Sequence, residues 1–449
     1  MTAPDISDIT KKHGIGAARA FMDGAKAYEP PPEPEPDKPP GAKPVTRGAP
    51  PINLPPPCGS WWRDPATIPP RRFLYGRHYI RGAIGATIAA GGRGKTTLSV
   101  YEAVTMAAGR DLMTGQPLPG GALRVWLLNG EEDQDEMDRR VAALCQRYGI
   151  TEADLGGRLF VQSVRDHPIR VAVMKGGSPA VDEAVIGYMV KFIKDNRIDV
   201  FMVDPLVSFH SVAENDNSHM DLVIKRGFGA VVAKTNAAGE VFHHPGKPKP
   251  NQPETVVEDG RGASAILWAV RSARVLNFMT PAEAEKLGMS DEERKLHIRI
   301  ANGKANMAPL GKAKWMKIEV ENLPNGDQVA CGSSWTPPNP FEGLTTADLE
   351  LAQKLARTAA YRDDSRSKEW FGYALAKHLG LDVSFKGTND PKDLAKLKSI
   401  IKTWKQNKVL DVEQREDEHR HEKAFIVPGK AATTAGKTYY SDDDEAVLQ

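Results

Sequence analysis

The chain has 449 residues, and its 60 Lys and Arg against 58 Asp and Glu leave a net charge of +2, which excludes a basic polyelectrolyte binder of the histone kind. It is 40% hydrophobic, but no apolar run approaches the roughly 18 residues of a membrane helix, and the start MTAPDISDITKK lacks the order of a secretory signal. A soluble, cytoplasmic protein without membrane partners is expected. Cys58, Cys145 and Cys331 lie far apart, with no CxxC or Cys/His spacing, so neither a disulfide framework nor a zinc site is indicated.

Half of the 34 prolines precede residue 71. The stretch EPPPEPEPDKPPGAKP cannot donate regular backbone hydrogen bonds, so residues 1–65 read as an extended, solvated arm. Within it, residues 6–28 carry Ala and spaced apolar positions that suit a short helix. That segment is either a docking peptide for a protein partner or a frayed tail.

From 66 to 335 short apolar runs alternate with helix-like segments. AIGATIAA (83–90), RVWLLN (124–129), RLFVQS (158–163), DVFMVDPL (199–206) and EVFHH (240–244) are the predicted strands. Helices are predicted at 95–108, up to about 148, near 181–196 and near 218–235. This alternation predicts β-α-β units, a buried parallel sheet and helices on both faces, an α/β class. ARVLNFM, KLHIRIAN and WMKIEVENL read as antiparallel strands at one edge. A proline cluster, SSWTPPNPFEG (333–343), marks a boundary. Residues 336–430 then read as a small winged-helix domain, and residues 431–449 as an acidic tail.

The strongest chemical signal lies where the first strand meets its helix. Ala89 is followed by Ala90, Gly91, Gly92, Arg93, Gly94, Lys95, Thr96 and Thr97. Glycines let the backbone turn its N–H groups onto phosphates, and the helix dipole adds to them. Lys95 supplies a cation for the β- and γ-phosphates of ATP, and the Thr96 hydroxyl can ligate Mg²⁺. Ala89 stands where the usual pattern has its first glycine.

Three further positions fit this loop. Asp204 closes the strand VFMVD, where a carboxylate can hold the Mg²⁺ shell; strands also end in Asp simply to turn. Glu131 follows the strand 124–129 and is suited to polarise the attacking water, although Glu131, Glu132, Asp133 and Asp135 also suit an acidic first helical turn. His243 and His244 end the next strand. No third metal ligand is spaced to join them, and His244 is preferred as a polar sensor of the γ-phosphate.

Together these pieces resemble the RecA-type ATPases, and within them the RepA-like hexameric replicative helicases related to the DnaB group. The resemblance runs from 66 to 335 through AAGGRGKT, NGEED, MVDPL with FHSVAENDNSHM, VFHHPGK, RGASAI and GKANMAP (303–309). It implies a homohexamer with ATP between subunits and single-stranded DNA in the channel. Lys304 then becomes the cation acting in trans, with Arg261 and Arg274 as competing fingers; such a charge is worth about 10³–10⁵ in rate. Asn306 stands where other members carry arginine and supplies no charge. The channel loops become 208–220 and 246–260, the second carrying Lys247 and Lys249 for DNA phosphates.

In the C-terminal module, Leu394, Leu397, Ile401 and Trp404 form a core stripe. Lys392, Lys396, Lys398, Lys402, Lys405 and Lys408 occupy much of the remaining helix surface, which suits duplex DNA or a solvated docking face. The leading expectation is a MgATP-driven DNA motor. An ATP-gated loading factor without strand separation and an NTPase with protein cargo are its rivals.

Overall fold

The computed structural model describes residues 62–430 except 113, 247–251, 253, 308–312 and 417–420. The chain divides into two compact units, 1–69 and 70–449. Of the first, the described part is a 3-10 turn, Pro65–Thr67, whose Asp64 carboxylate accepts from the Ala66 N–H. The helix expected within 6–28, most of the proline-rich arm and the acidic tail lie outside the described residues.

The second unit opens with a hairpin, β1 (Phe73–Tyr75) and β2 (Tyr79–Ile80). There follow β3 (Ile84–Ala89), α1 (Lys95–Ala108), β4 (Val125–Asn129), α2 (Gln134–Tyr148), α3 (Glu152–Leu155) and β5 (Leu159–Ser163). A second hairpin, β6 (Ala172–Lys175) and β7 (Ser178–Val181), precedes α4 (Glu183–Asp195), β8 (Val200–Asp204), α5 (Asn217–Asp221) and α6 (Gly229–Thr235). Then come β9 (Ala238–His243), α7 (Ala263–Ala269), β10 (Ser272–Phe278), α8 (Pro281–Lys286), α9 (Asp291–Arg294), β11 (His297–Ala305), β12 (Lys314–Asn322) and β13 (Gln328–Trp335). The last elements are α10 (Thr346–Thr358), α11 (Phe371–Leu379), α12 (Pro391–Gln406), β14 (Leu410–Glu416) and β15 (Glu422–Pro428).

One nine-stranded sheet organises this unit, in the order β13-β12-β11-β10-β3-β9-β8-β4-β5. The strands from β10 to β5 are parallel. β3, β4, β8 and β9 are buried along their whole length, which is why they read as unbroken apolar runs. Two apolar clusters cover the two faces. One includes Trp126, Phe201, Met220 and Phe228; the other includes Leu98, Tyr101, Met137 and Phe242. Helix ends follow local chemistry: Asp133 caps α2 by accepting from Glu136, and Gly149, at φ 58°, stops it.

Three features differ from the sequence expectation. β10 is parallel to β3, and antiparallel pairing starts only at β11. β13 is an additional edge strand, joined to β12 across Asn325-Gly326, with Gly326 at φ 95°; the Asn-Gly pair is its one sequence signal. The helix expected near 218–235 is wound as a π-helix over Leu222–Phe228, where a Cβ at Gly227 would meet Val171 Cγ2 at 2.9 Å.

Residues 346–428 form three helices and a two-stranded hairpin around their own core, which includes Phe371, Leu375, Leu397, Ile401, Trp404 and Ile426. Among the described residues, no helix is long and apolar enough to cross a membrane.

Candidate nucleotide site

The site is built where the parallel strands end. Ala89 closes β3, and the chain turns through Gly92 and Gly94, at φ 71° and 73°, a region that disfavours residues with a Cβ. A Cβ at Gly91 or Gly92 would meet nothing within 4 Å, so the loop backbone stays open to a ligand. At Gly94 a Cβ would come 2.4 Å from Ile298 Cδ1; there glycine seats the loop against β11. Arg93 lies over the Phe278 ring, 4.1 Å from its centroid. Burial, then the nearby Arg294, lowers its pKa.

Lys95 Nζ donates to Ala89 O at 3.2 Å and Ala90 O at 3.4 Å, and lies 3.2 Å from His244 Nδ1. Burial lowers its pKa, against the pull of Asp204 and Glu131. Asp204 is buried at the tip of β8 and accepts from Ser99 Oγ at 3.1 Å, with the Thr96 hydroxyl also bonding to it. Burial pushes its carboxyl up to about 6, only partly offset by those hydroxyls and Lys95. A loop open to anions beside a buried, under-compensated carboxylate suits a nucleotide with a divalent cation held by Thr96 and Asp204.

The acidic run after β4 is sorted by its contacts. Glu132 is locked to Arg140 by two hydrogen bonds of 2.6 Å. Asp133 caps α2 and pairs with Arg165 at 3.3 Å. Glu131 is 55% exposed and lies 3.8 Å from His244 Nε2. Its backbone is held by Asn129, whose Oδ1 accepts from Glu131 N at 2.9 Å and Glu132 N at 2.8 Å. Sequence reading missed Asn129 and Ser99. The Asn-Gly-Glu-Glu order after a strand was a usable sign of such a side-chain turn.

The other expected site residues separate. Arg274 is corrected: it is buried within the sheet, donating to Glu102 at 2.6 Å and Thr87 at 2.8 Å, and so cannot reach a neighbouring subunit. Arg261 is half-exposed and paired with Glu214 at 2.8 Å. Lys304 donates to the Leu267 carbonyl, and its pKa is lowered by burial and then by Arg271. Lys304 lies opposite Ala273, and Ala273 opposite Ala86, four residues below Ala90. That is ~13 Å down the sheet from its own loop. The tip of the 303–309 hairpin, Lys247 and Lys249 lie outside the described residues.

On α12, Lys398 and Lys402 line a groove of about 1030 Å³ against α8 and α9. Lys405 does not join a free basic face, because Asp363 holds it at 2.7 Å; Lys392 pairs with Glu293 at 3.0 Å and Lys408 with Asp411 at 3.3 Å. Lys396 is half-buried.

Strand order, the phosphate loop and the buried carboxylate at the β8 tip together form a candidate P-loop nucleotide site at the end of a parallel α/β sheet. Residues 49–250 match the family model described as an AAA domain, a span that ends before Arg261 and Lys304. Solved structures similar to the chain include the RadB recombinase, at 14% identity, TM-score 0.35, and 54% of this chain with 89% of that one. A DnaB-like replicative helicase, described with its interactions with primase, is similar at 13% identity and TM-score 0.38; the match covers 56% of this chain and only 59% of that one. The ATPase domain of G40P is similar at 12% identity and TM-score 0.36, over 57% of this chain and 85% of that one.

Proposed function

We propose that the protein is a ring-forming, MgATP-hydrolysing DNA motor, a replicative helicase of the RepA-like kind. The observation that carries this reading is the separation of charges along the sheet. The phosphate loop stands at one end, while Lys304 and Arg271 stand at the other. Neither forms an ion pair with a carboxylate among the described residues. Cations so placed lie too far down the sheet for their own loop and suit another copy's nucleotide. Beside them Trp268 is 75% exposed on α7, an apolar surface that a second copy of the chain would cover.

Lys95 and the loop N–H groups bind the phosphates, and Thr96 with Asp204 would hold Mg²⁺, which when bound neutralises phosphate charge. Glu131, which has no arginine partner, takes the proton of the attacking water. His244 shares its two ring nitrogens between Lys95 and Glu131, so it registers whether Lys95 has moved onto a phosphate. Burial, then Lys95, keeps its pKa low and its ring neutral.

The test is steady-state MgATP hydrolysis with and without single-stranded DNA, using wild type, Lys95→Ala, Lys304→Ala and mixtures. The reading expects DNA to stimulate turnover and Lys304→Ala to lose about 10³-fold. Mixing Lys95→Ala with Lys304→Ala should restore activity, because wild-type loops then meet wild-type Lys304 across some interfaces. No restoration sinks the trans assignment. Turnover indifferent to DNA favours a protein-directed switch, and hydrolysis without strand displacement on a fork favours a loading factor.

A further inference from the structure

Beside His244, at the β9 tip, three buried polar atoms lack hydrogen-bond partners among the described residues: His243 Nδ1, Glu214 Oε1 and His210 Nε2. His243 is fully buried and His210 nearly so. They come from two separate elements: His210 and Glu214 from the loop after β8, His243 from the end of β9.

The proton positions follow from the other bonds these groups make. His243 Nε2 lies 2.8 Å from the Arg261 carbonyl, which can only accept, so Nε2 carries the proton and Nδ1 a lone pair. His210 Nδ1 accepts from the Val212 N–H at 3.4 Å, so its neutral ring carries the proton on Nε2. Glu214 Oε2 is taken by Arg261 at 2.8 Å, which leaves Oε1 as an acceptor. The three atoms are therefore two acceptors and one donor.

His243 and Glu214 face one another, and His210 lies within electrostatic reach of both. His243 Nδ1 lies 4.0 Å from Glu214 Oε1, too far for a direct bond and with no proton to make one. Glu214 acts electrostatically on both histidines, and His210 and His244 act on His243. An oxygen about 2.8 Å from both Nδ1 and Oε1 would subtend an angle of about 90° at that spacing. Water supplies two donated bonds and accepts a third, which matches this set. A metal ion matches less well, since the His210 proton is on the inward nitrogen. Among the described residues no group of three such side chains is placed to hold one.

We propose that His210, Glu214 and His243 form a binding site for a single internal water, the joint that ties the loop after β8 to the tip of β9. Through Arg261, bonded at both its carbonyl and its guanidinium, the same joint holds the chain entering α7. His243 closes β9 and His244 follows it directly; the first faces Arg261 and Glu214, the second Lys95 and Glu131. A displacement of His244 at the nucleotide thus moves the water's ligands. Burial holds the His243 pKa down to about 4, so near neutral pH water rather than a proton fills the gap.

Occupancy is tested on the wild-type chain. A crystal structure that places ordered water should show one within about 3.2 Å of all three atoms. His243 closed directly onto Glu214, or the three side chains turned apart, would overturn the site. Nitrogen NMR of labelled histidines, with His243 assigned from a His243→Gln variant, should find a neutral ring protonated at Nε2 at pH 7; an imidazolium overturns it. Hydrogen exchange then tests the joint: His210→Phe and Glu214→Gln should each raise exchange about tenfold in both 206–216 and 255–262. A rise confined to the substituted segment refutes the link. None of these readouts uses nucleotide or DNA, so they stand if the motor reading fails. The coupling itself rests on that reading. It expects MgATP added to the wild-type chain to change exchange in 206–216 and 255–262 together. A change in neither segment, or in one alone, would overturn it.

Discussion

Two groups of buried polar side chains sit on the same sheet, and they are completed in opposite ways. Deep in the sheet, Arg274 donates to Glu102 and Thr87, Tyr79 donates to Glu102 at 2.6 Å, and His78 bridges Glu240 and Ser272 at 2.8 Å each. Burial pushes the Glu102 carboxyl up, but Arg274 outweighs it and holds the group below the usual carboxylate range. At the strand tips the reverse holds: burial pushes Asp204 up to about 6, and its nearest cation, Lys95, also binds carbonyls. A network that closes on itself serves the fold. One left short of partners has affinity to spare for a ligand.

The sharpest way to break this contrast is Lys95→Ala. Turnover should fall by about 10³-fold, since Lys95 is the loop's one lysine and its proposed role is to meet phosphate charge. The melting temperature of the ligand-free chain should fall little, because the desolvation of the buried amine outweighs the pull of Asp204 and Glu131 on it. A large loss of stability would mean that the tip is structural after all. Thermal unfolding beside steady-state hydrolysis decides it.

Arg274→Met probes the other region. Removing the guanidinium leaves Glu102 and Glu240 buried with no strong counter-charge, at a cost of about 3–5 kcal/mol. Urea unfolding should show that loss. Turnover per folded molecule at low temperature should stay within about threefold, because Arg274 touches no part of the phosphate loop. If activity instead vanished in folded protein and reappeared on mixing with Lys95→Ala, Arg274 would be a finger despite its burial.

Asp204→Asn carries the sign that separates the two regions most clearly. The folded carboxyl, at about 6, is raised above the ordinary aspartate value of about 3.8. Its contribution to stability is therefore complete below about pH 4 and lost as pH rises through 6. Asparagine removes that penalty, so the ligand-free variant should gain up to about 3 kcal/mol at pH 7.5 and nothing at pH 4. Stabilisation by MgATP, which requires the ionised carboxylate, should grow above pH 6 in wild type and disappear in the variant. Denaturant melts at the two pH values measure both.

How much of this was readable beforehand follows the same physics. The placement of the phosphate loop, Asp204 and Glu131 at strand ends was legible because it is fixed by local order, a strand followed at once by its polar residue. The fate of Arg274 was not. Its partner Glu102 lies on α1, far away in the chain, and only the register of β10 on β3 turns it inward. His210 and Glu214 were hidden for the same reason: nothing local says that they approach His243 across two loops. The parallel placement of β10 also escaped, since a strand's neighbours are set by crossover connections rather than by its own residues.

The smallest expected effects lie on α12, where the contrast between paired and unpaired charge can be made on a single helix. Lys398 and Lys402 line the groove against α8 and α9 without an ion pair among the described residues, while Lys405 is held by Asp363. If this surface touches single-stranded DNA, Lys398→Ala and Lys402→Ala should each flatten the salt dependence of binding by about 0.7 in log–log slope. Lys405→Ala should leave the slope alone and cost about 1 kcal/mol of stability at most, from the lost half-buried pair. Fluorescence anisotropy of a labelled strand across a salt series supplies the slopes. Equal flattening by Lys405→Ala would show that Asp363 releases its partner to DNA. No flattening by any of the three would return the helix to a solvated face.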